Sequence, residues 1–573
     1  MTEERNAARR LLVIGWDGAT LDLAGPWIKA GLLPTLARLQ EQGAAGRLKS
    51  VLPVLSPAAW TSFATGVNPG RHGIFDFAQR APDSYSLRLV TSRDIKAPTL
   101  WRILSDAGKR VIVVNVPLTY PAETVNGTMI TGLGTPERQV FTYPPQLSQT
   151  LRSGGYRVNK TVFYRPGAEA AFLSDTYDFT QRVSDAALDL LSHEQWDFGM
   201  VVFRDTDEMS HFFWKHMDAS HPAHNPSTDA PFKNALLEYY QYLDRQTGRL
   251  IESVGADTDI VIMSDHGMGP LYKDVYLNEW LRQRGDLAAR VDLDRAPGGL
   301  LGQVGLTGAN VSALLQRSGL ARFERWLRAS LGSKIRLLPA NNRAVFPDAI
   351  DWPRTRAYSY GYHGQIFLNV KGREPVGTVD TGQDYDKLRS QIRESLQKLV
   401  DPEDLKPVVT DIIPQEQAFH GPYAHMGADL VIVMRDLAYI TRHGFEFSGQ
   451  TGLVFSRPVS YESGGHRQFG MVFLYGKSFH SGVSLNACSI LDLAPTILHI
   501  LGVAPPERMD GDILYDHLSD TLKSDRAPST STSPSDDREQ PYQADSKADD
   551  QVALSDDDEK ELSDRLRNLG YLG

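Results

Sequence analysis

The 573-residue sequence has a single cysteine, Cys488. One thiol cannot form an intramolecular disulfide, and it excludes metal sites that need several thiolates, so any metal ion must be held by histidine and carboxylate side chains. A long hydrophobic run is also missing near the N-terminus, where MTEERNAARR leads into only LLVI before Gly-Trp-Asp. That run is too short for a signal peptide or a membrane-spanning helix, so we expect a soluble, cytoplasmic protein.

No block of lysine and arginine is present, and these residues number 60 against 70 aspartate and glutamate residues. With a formal net charge of −10, the chain lacks the basic surface that nucleic-acid binding requires. Hydrophobic residues make up 41% and charged residues 23%, a balance typical of globular proteins rather than disordered ones. We therefore expect a folded protein without a nucleic-acid partner.

Short apolar runs alternate with amphipathic helical patterns along the first half of the chain. The pattern predicts strands at 11–14, 111–117, 197–205 and 258–267, and helices at about 34–42, 178–193 and 231–253. Uninterrupted β-branched runs that alternate with helices predict an α/β fold with a mostly parallel sheet covered by helices on both faces. In such sheets, functional side chains collect in the loops just past the carboxyl ends of the strands.

The second half of the chain is divided by changes of pattern. Residues 276–345 are rich in Leu, Arg and Gly without a clear core strand, and we interpret them as an inserted helical cap. Strand-like runs resume at 365–370, 428–434 and 470–476, and a helix is predicted at 489–502. These patterns assign the catalytic core to 8–275 and 346–520.

The C-terminal residues differ in composition from the core. Residues 521–558 are rich in Ser, Asp, Pro and Lys and have almost no large apolar side chain, so they predict a disordered linker. Residues 559–573 recover helical spacing and end in an apolar tip. We expect them to form a short helical segment that docks on the body of the protein.

Metal-ligand residue types stand at the ends of two predicted strands. Asp17 follows the first strand between residues that let the backbone turn, although a capping role is the ordinary alternative. In DTDEMSHFFW, Asp207 and His211 are four residues apart, a spacing that places both on one face of a helix, as metal ligation requires. Asp205 fits this geometry less well, and a solvated acidic turn with a packed histidine is the alternative.

Two further candidate motifs contain glycine beside a histidine. Asp265 and His266 end the strand-like DIVIM in the motif SDHGMG, where an unpaired buried charge would be costly, which favours a functional role. His466 lies in SGGHRQFG, directly after two glycines that permit close approach of the backbone.

The nucleophile candidates lie in VLPVLSPAAWTSFATGVNPGRHGIFDF. Ser56 follows a strand-like run at a turn that opens a predicted helix, whose N-terminal amides suit an anion. Helix capping is the ordinary role of such a hydroxyl, and Thr61 and Ser62 are rival nucleophiles.

Residues 354–364, RTRAYSYGYHG, have side chains suited to a phosphate or nucleobase pocket, namely Arg354, Arg356, Tyr358, Tyr360 and His363. We nevertheless interpret this segment as a solvated loop beside the strand at 365–370.

Together, these motifs resemble the alkaline phosphatase superfamily and, within it, most closely the type I phosphodiesterase/nucleotide pyrophosphatase group. The resemblance rests on their order: an Asp after the first strand, a hydroxyl ahead of TGVNPGRHGI, then Asp-x-x-x-His, Asp-His-Gly and Gly-x-His. It covers about 11–276 and 345–515. The implied fold is an α/β core of alkaline phosphatase type.

The resemblance implies a metal-dependent phosphoric ester hydrolase with a covalent phospho-serine intermediate and two divalent cations, Zn²⁺ or, alternatively, Mn²⁺. It places one metal on Asp207, His211 and His466, and the other on Asp17, Ser56, Asp265 and His266. It also favours Ser56 over Thr61, although the family's usual nucleophile is threonine. The expected substrate is a small phosphate ester such as a nucleotide. A phosphomonoesterase or phosphomutase of the same superfamily is the alternative, and a catalytically silent, metal-stabilised binding protein is less favoured.

Overall fold

The computed structural model describes residues 9–290, 346–442, 447, 452–458, 460–523 and 554–571. Its strands are β1 (Arg10–Trp16), β2 (Ala44–Lys49), β3 (Ala78–Arg80), β4 (Leu87–Leu89), β5 (Val111–Val116), β6 (Gly127–Thr131), β7 (Thr142–Tyr143), β8 (Phe198–Phe203), β9 (Thr258–Met263), β10 (Gly267–Pro270), β11 (Lys273–Val275), β12 (Ala357–Ser359), β13 (Gln365–Leu368), β14 (Val409–Pro414), β15 (Leu430–Met434), β16 (Tyr439–Ile440), β17 (Phe455–Ser456), β18 (Gly464–Arg467), β19 (Phe469–Tyr475) and β20 (Val483–Ser489).

The α-helices are α1 (Leu21–Lys29), α2 (Pro34–Gln42), α3 (Ser56–Thr65), α4 (Pro69–His72), α5 (Leu100–Asp106), α6 (Leu147–Ser153), α7 (Glu169–His193), α8 (Asp205–Met217), α9 (Pro226–Asp229), α10 (Ala235–Val254), α11 (Leu277–Arg284), α12 (Gln383–Leu396), α13 (Gln415–Ala418), α14 (Leu493–Ile500), α15 (Asp520–Lys523) and α16 (Asp556–Asn568). Among the described residues, no helix is both long and apolar enough to cross a membrane.

The central sheet has the order β20-β2-β19-β9-β1-β8-β5-β6-β7. Its middle strands, from β9 to β6, are parallel to one another, whereas β19 is antiparallel to both of its neighbours. The strands β5, β8 and β9 are buried along their whole length, as their uninterrupted apolar sequences predict. The predicted α/β class with a mostly parallel sheet is confirmed.

Both faces of the sheet are covered because side chains alternate along each strand. Leu12 and Ile14 of β1 pack in a cluster with residues of α2, α7 and α10. Their neighbours Leu11 and Val13 pack on the opposite face with residues of α3, α5 and α14. The sheet therefore lies between two helical layers, which leaves the loops at the carboxyl ends of its strands to carry functional side chains.

A second sheet contains β12, β13, β15, β16, β11 and β17 in that order, with β14 paired to β15. It has a separate hydrophobic cluster that includes Phe367, Leu388 and Leu430. The sequence pattern predicted β13 and β15 as strands of the catalytic core. It could not show which sheet they join, because a short buried strand has the same apolar pattern in either sheet.

The domain boundaries given above remain predictions. Most of the predicted cap at 276–345 and most of the predicted linker at 521–558 lie outside the described residues.

Candidate active site

Three buried carboxylates lie at one edge of the central sheet. Asp17 follows β1, Asp265 follows β9, and Asp207 is in the first turn of α8, which starts directly after β8. Because β8, β1 and β9 are parallel neighbours, their carboxyl ends bring these side chains together. The exposed fraction of each is 2% or less, so the three charges are held close together away from water.

Helix α8 and strand β18 add two histidines to this cluster. The predicted four-residue spacing places His211 Nε2 3.3 Å from Asp207 Oδ1. His466, on β18, lies with its Nε2 3.3 Å from the same oxygen and 3.1 Å from His211 Nε2. Asp205, the poorer candidate, instead forms an ion pair with Lys160 at 3.0 Å.

The third histidine, His266, connects this group to the second predicted group. Its Nε2 lies 3.3 Å from Asp265 Oδ2 and 3.7 Å from Asp17 Oδ1. Its ring stacks on that of His466 with a centroid separation of 3.8 Å. Potential ligand atoms lie within 4.8 Å of one another in two sets, Asp207/His211/His466 and Asp17/Asp207/His266, so Asp207 faces both.

All three imidazoles point Nε2 into the cluster because Nδ1 is engaged elsewhere. The Nδ1 contacts are with backbone carbonyl oxygens: His211 with Gly464 (2.9 Å), His466 with Val54 (2.6 Å) and His266 with Gly267 (3.2 Å). A carbonyl oxygen only accepts, so Nδ1 carries the hydrogen in each ring, and Nε2 is the atom that would offer a lone pair to a bound cation.

The inward carboxylate oxygens complete a set of electron-pair donors. Within the described part of the chain, Asp17 Oδ1, Asp207 Oδ1 and Asp265 Oδ2 are buried without a hydrogen-bond donor. Buried polar atoms of this kind are normally satisfied. Three such oxygens facing three imidazole Nε2 atoms fit bound divalent cations, since mixed nitrogen and oxygen donors are typical Zn²⁺ ligands.

The carboxylates of the cluster repel one another and are buried, and both effects shift their pKa values. Burial, together with the charges of Asp265 and Asp207, raises the pKa of Asp17 well above its usual value. Burial also raises the pKa of Asp265 to about 8, against the hydrogen bond from the Gly18 amide. Burial opposes protonation of His211, but the adjacent Asp207 carboxylate raises the pKa of this imidazole to about 9. A bound divalent cation would offset the charge of these buried carboxylates.

Ser56 is the first residue of α3 and is 1% exposed. Its Oγ lies 3.3 Å from His266 Nε2, which places the hydroxyl against the second group of ligand atoms. The rival Ser62 pairs its hydroxyl with His72 Nε2 at 2.8 Å, outside the cluster. Thr61 lies more than one helical turn beyond the start of α3. The structure therefore brings Ser56, rather than its rivals, beside the predicted ligands.

Two contacts to the carboxylates come from residues that the sequence did not single out. Trp60 Nε1 donates to Asp17 Oδ2 at 2.9 Å, and the Tyr571 hydroxyl donates to Asp207 Oδ2 at 2.5 Å. The sequence gives no signal for either contact, because a tryptophan or tyrosine among apolar residues is usually a core residue. Only their hydrogen bonds to Asp17 and Asp207 distinguish them from ordinary core residues.

The prediction of a solvated loop at 354–364 is wrong at His363, which is buried. It is 3% exposed, and its ring centroid lies 5.4 Å from that of His466. Neither of its ring nitrogens has a hydrogen-bond partner in the described part of the protein. Its backbone is left-handed (φ 60°) between Gly361 and Gly364, which also have positive φ. Such a conformation reverses the chain locally, which a sequence pattern cannot foresee.

Gly18 permits the close approach of β1 to α8. Its φ is 67°, and an added Cβ would lie 3.0 Å from Asp207 Cα and Cβ. We expect Gly18→Ala to destabilise the fold by more than the roughly 1–2 kcal/mol of a left-handed alanine and to weaken metal binding by displacing Asp207. Thermal unfolding and metal titration would measure both effects.

Gly31→Ala is the matched control for this prediction. Gly31 has a similar φ of 73°, but no atom lies within 4 Å of its added Cβ. This variant should lose only the backbone contribution and keep its metal affinity. Equal losses in both variants would contradict the steric argument.

A family model for type I phosphodiesterase/nucleotide pyrophosphatase matches residues 11–446. The chain belongs to this family of the alkaline phosphatase superfamily, which confirms the resemblance based on motif order, and it is a hydrolase of phosphoric ester bonds. His466 and the C-terminal segment lie beyond the matched range.

Two solved structures of murine ectonucleotide pyrophosphatase/phosphodiesterase 5 are similar to this chain. They cover 89% of this chain and 100% of their own at 12% identity, with TM-scores of 0.49 and, for an inactive form in complex with AMP, 0.48. No curated protein sequence matches the chain.

Proposed function

We propose that the protein is a two-metal phosphodiesterase that cleaves nucleotide-like phosphate esters through Ser56. The observation that carries the proposal is the cluster of six inward-facing donor atoms, three imidazole nitrogens and three carboxylate oxygens, beside the Ser56 hydroxyl. The family supports a nucleotide or another diester as substrate.

One cation would be held by Asp207, His211 and His466, and the other by Asp17, Asp265 and His266 together with Ser56. Zn²⁺ fits this donor set best, and Mn²⁺ is compatible with it. When bound, the two cations would lower the pKa of the serine hydroxyl and offset the negative charge that develops on the phosphoryl and leaving oxygens.

The protein's own residues would bring about two displacements. Ser56 Oγ, having lost its proton to solvent, forms a bond to phosphorus while the bond to the leaving oxygen breaks. That oxygen departs with the electron pair and takes up a proton from solvent, which gives an alcohol or nucleotide product. Water then cleaves the phospho-serine ester, restoring the hydroxyl and releasing a phosphate monoester. The position of Ser56 at the start of α3 supports this role, because helix N-terminal amides stabilise a bound phosphoryl group.

The test compares hydrolysis of bis-p-nitrophenyl phosphate and p-nitrophenyl phosphate by zinc-loaded and chelator-treated protein. We expect faster diester hydrolysis that depends on the metal. A preference for the monoester would favour a phosphomonoesterase or phosphomutase of the same superfamily. Zinc binding without hydrolysis of either ester would instead indicate a metal-stabilised binding protein.

A further inference from the structure

The C-terminal segment, residues 554–571, packs directly beside the candidate active site. Leu562 and Leu566 of α16, with Leu569 and Tyr571 beyond it, are buried against a small cluster on the body of the protein that includes Phe77. The Tyr571 ring lies 4.8 Å from that of Phe77, centroid to centroid. The segment is thus attached by an apolar face of its own, separate from the two cores of the central sheet.

Polar contacts fix the register of this segment. Gln139 Nε2 donates to Asp558 Oδ2 at 2.9 Å, and the Glu137 amide donates to Glu561 Oε1 at 2.9 Å. Arg565 donates to the backbone carbonyl of Lys160 at 3.0 Å. The Lys160 side chain in turn pairs with Asp205 and Glu208 in the first turn of α8, the helix that carries Asp207.

The segment ends with the Tyr571 hydroxyl on Asp207. The hydroxyl donates to Oδ2 at 2.5 Å, whereas Oδ1 of the same carboxylate faces the Nε2 atoms of His211 and His466. The two oxygens therefore have different environments: one is satisfied by the tyrosine, and the other is left for a cation. Tyr571 is 5% exposed, so water does not compete for this hydrogen bond.

The backbone beside Tyr571 fits equally closely. Gly570 has a φ of 91°, and an added Cβ would lie 1.7 Å from Glu462 Oε1. Glu462 is itself buried and pairs with Arg442 at 2.5 Å. Only glycine leaves room for the chain to pass here and turn the tyrosine ring inward.

We infer that Tyr571 is a positioning residue that orients Asp207 for metal binding, so that the C-terminal segment is a structural part of the metal site. This inference rests on the proposed function. Outer-shell hydrogen bonds to metal-binding carboxylates fix the ligand orientation, and their loss typically weakens metal binding by about 10–100-fold. The hydroxyl contacts Oδ2 of Asp207 and leaves free Oδ1, the oxygen that faces His211 and His466, which favours positioning over occlusion of the ligand atoms.

The test is the zinc affinity of Tyr571→Phe, measured by competition with a chromophoric chelator, together with the kcat at saturating zinc. We expect zinc binding to weaken by about 10–100-fold, because the phenylalanine ring keeps the apolar contacts but cannot donate to Oδ2. Tyr156→Phe is the matched control: Tyr156 is 7% exposed, and its hydroxyl has no hydrogen-bond partner among the described residues. It should bind zinc like the unmodified protein.

A variant that ends before residue 554 separates positioning from occlusion. Loss of zinc affinity in both this variant and Tyr571→Phe would support the inference. Unchanged affinity in Tyr571→Phe, or faster hydrolysis after truncation, would overturn it while leaving the proposed function intact. If the unmodified protein bound neither zinc nor manganese, the inference and the proposed function would both be overturned.

Discussion

Replacing Ser56 with alanine should lower diester hydrolysis by at least about 10³-fold, the scale of losses seen when a nucleophile is removed. The reason is that Ser56 Oγ is the hydroxyl beside the cluster, 3.3 Å from His266 Nε2. Carboxylate and imidazole ligands remain in the variant, so zinc should still bind. The measurements are kcat/KM for bis-p-nitrophenyl phosphate and intact mass after acid quench, which should show a protein that carries a p-nitrophenyl phosphoryl group only when residue 56 bears a hydroxyl.

Three variants serve as controls for this result. Ser56→Thr should retain part of the activity, because it keeps a hydroxyl at the same position. Ser62→Ala should affect stability more than hydrolysis, since that hydroxyl is bound to His72. Thr61→Ala should be nearly as active as the unmodified protein. Full activity in Ser56→Ala would refute the assignment and point to Thr61 as the nucleophile.

Replacing Asp265 with asparagine should stabilise the metal-free protein and destroy metal-dependent activity. The side chain is fully buried next to Asp17 and Asp207, and its pKa is raised to about 8. A raised folded-state pKa means that stability is lost as pH rises from about 4 towards about 8, because the unfolded chain ionises more easily. The neutral amide avoids this loss, and we expect a gain of about 0.5–2 kcal/mol at pH 8.

Denaturant unfolding with chelator and with excess zinc would measure this effect. The unmodified protein should be less stable than Asp265→Asn in chelator and more stable than it in zinc, since only the native state binds the metal tightly. An asparagine variant that zinc stabilises as strongly as the unmodified protein would show that Asp265 is not a ligand.

Asp205→Asn is the matched control for Asp265→Asn. Asp205 is also buried, at 1% exposure, but it is paired with Lys160 at 3.0 Å. Removing its charge leaves the buried ammonium group less well compensated, so this variant should lose stability with or without zinc. Opposite signs for two buried aspartates would show that the effect at Asp265 comes from the repulsion within the cluster.

Much of the central architecture could be predicted from local patterns. The helix predicted at 34–42 is α2, and the strands predicted at 111–117 and 258–267 are β5 and β9 to within a few residues. Strands β5 and β9 are fully buried, and Leu36 and Leu39 of α2 have helical spacing on its buried face, so the apolar patterns of all three elements identify them. The shorter β13 and β15 were recognised as strands but belong to the second sheet, because strand pairing depends on partners distant in sequence.

By itself, the sequence determined the donor types, their places after apolar strands and the helical spacing that puts Asp207 and His211 on one face. Those features depend only on residue identity and on local backbone geometry. Only the tertiary structure decided that His363 is buried beside His466, that Trp60 holds Asp17, and that Tyr571 reaches Asp207 from 364 residues away. Such contacts arise when separate elements pack together, and no periodicity along the chain encodes them.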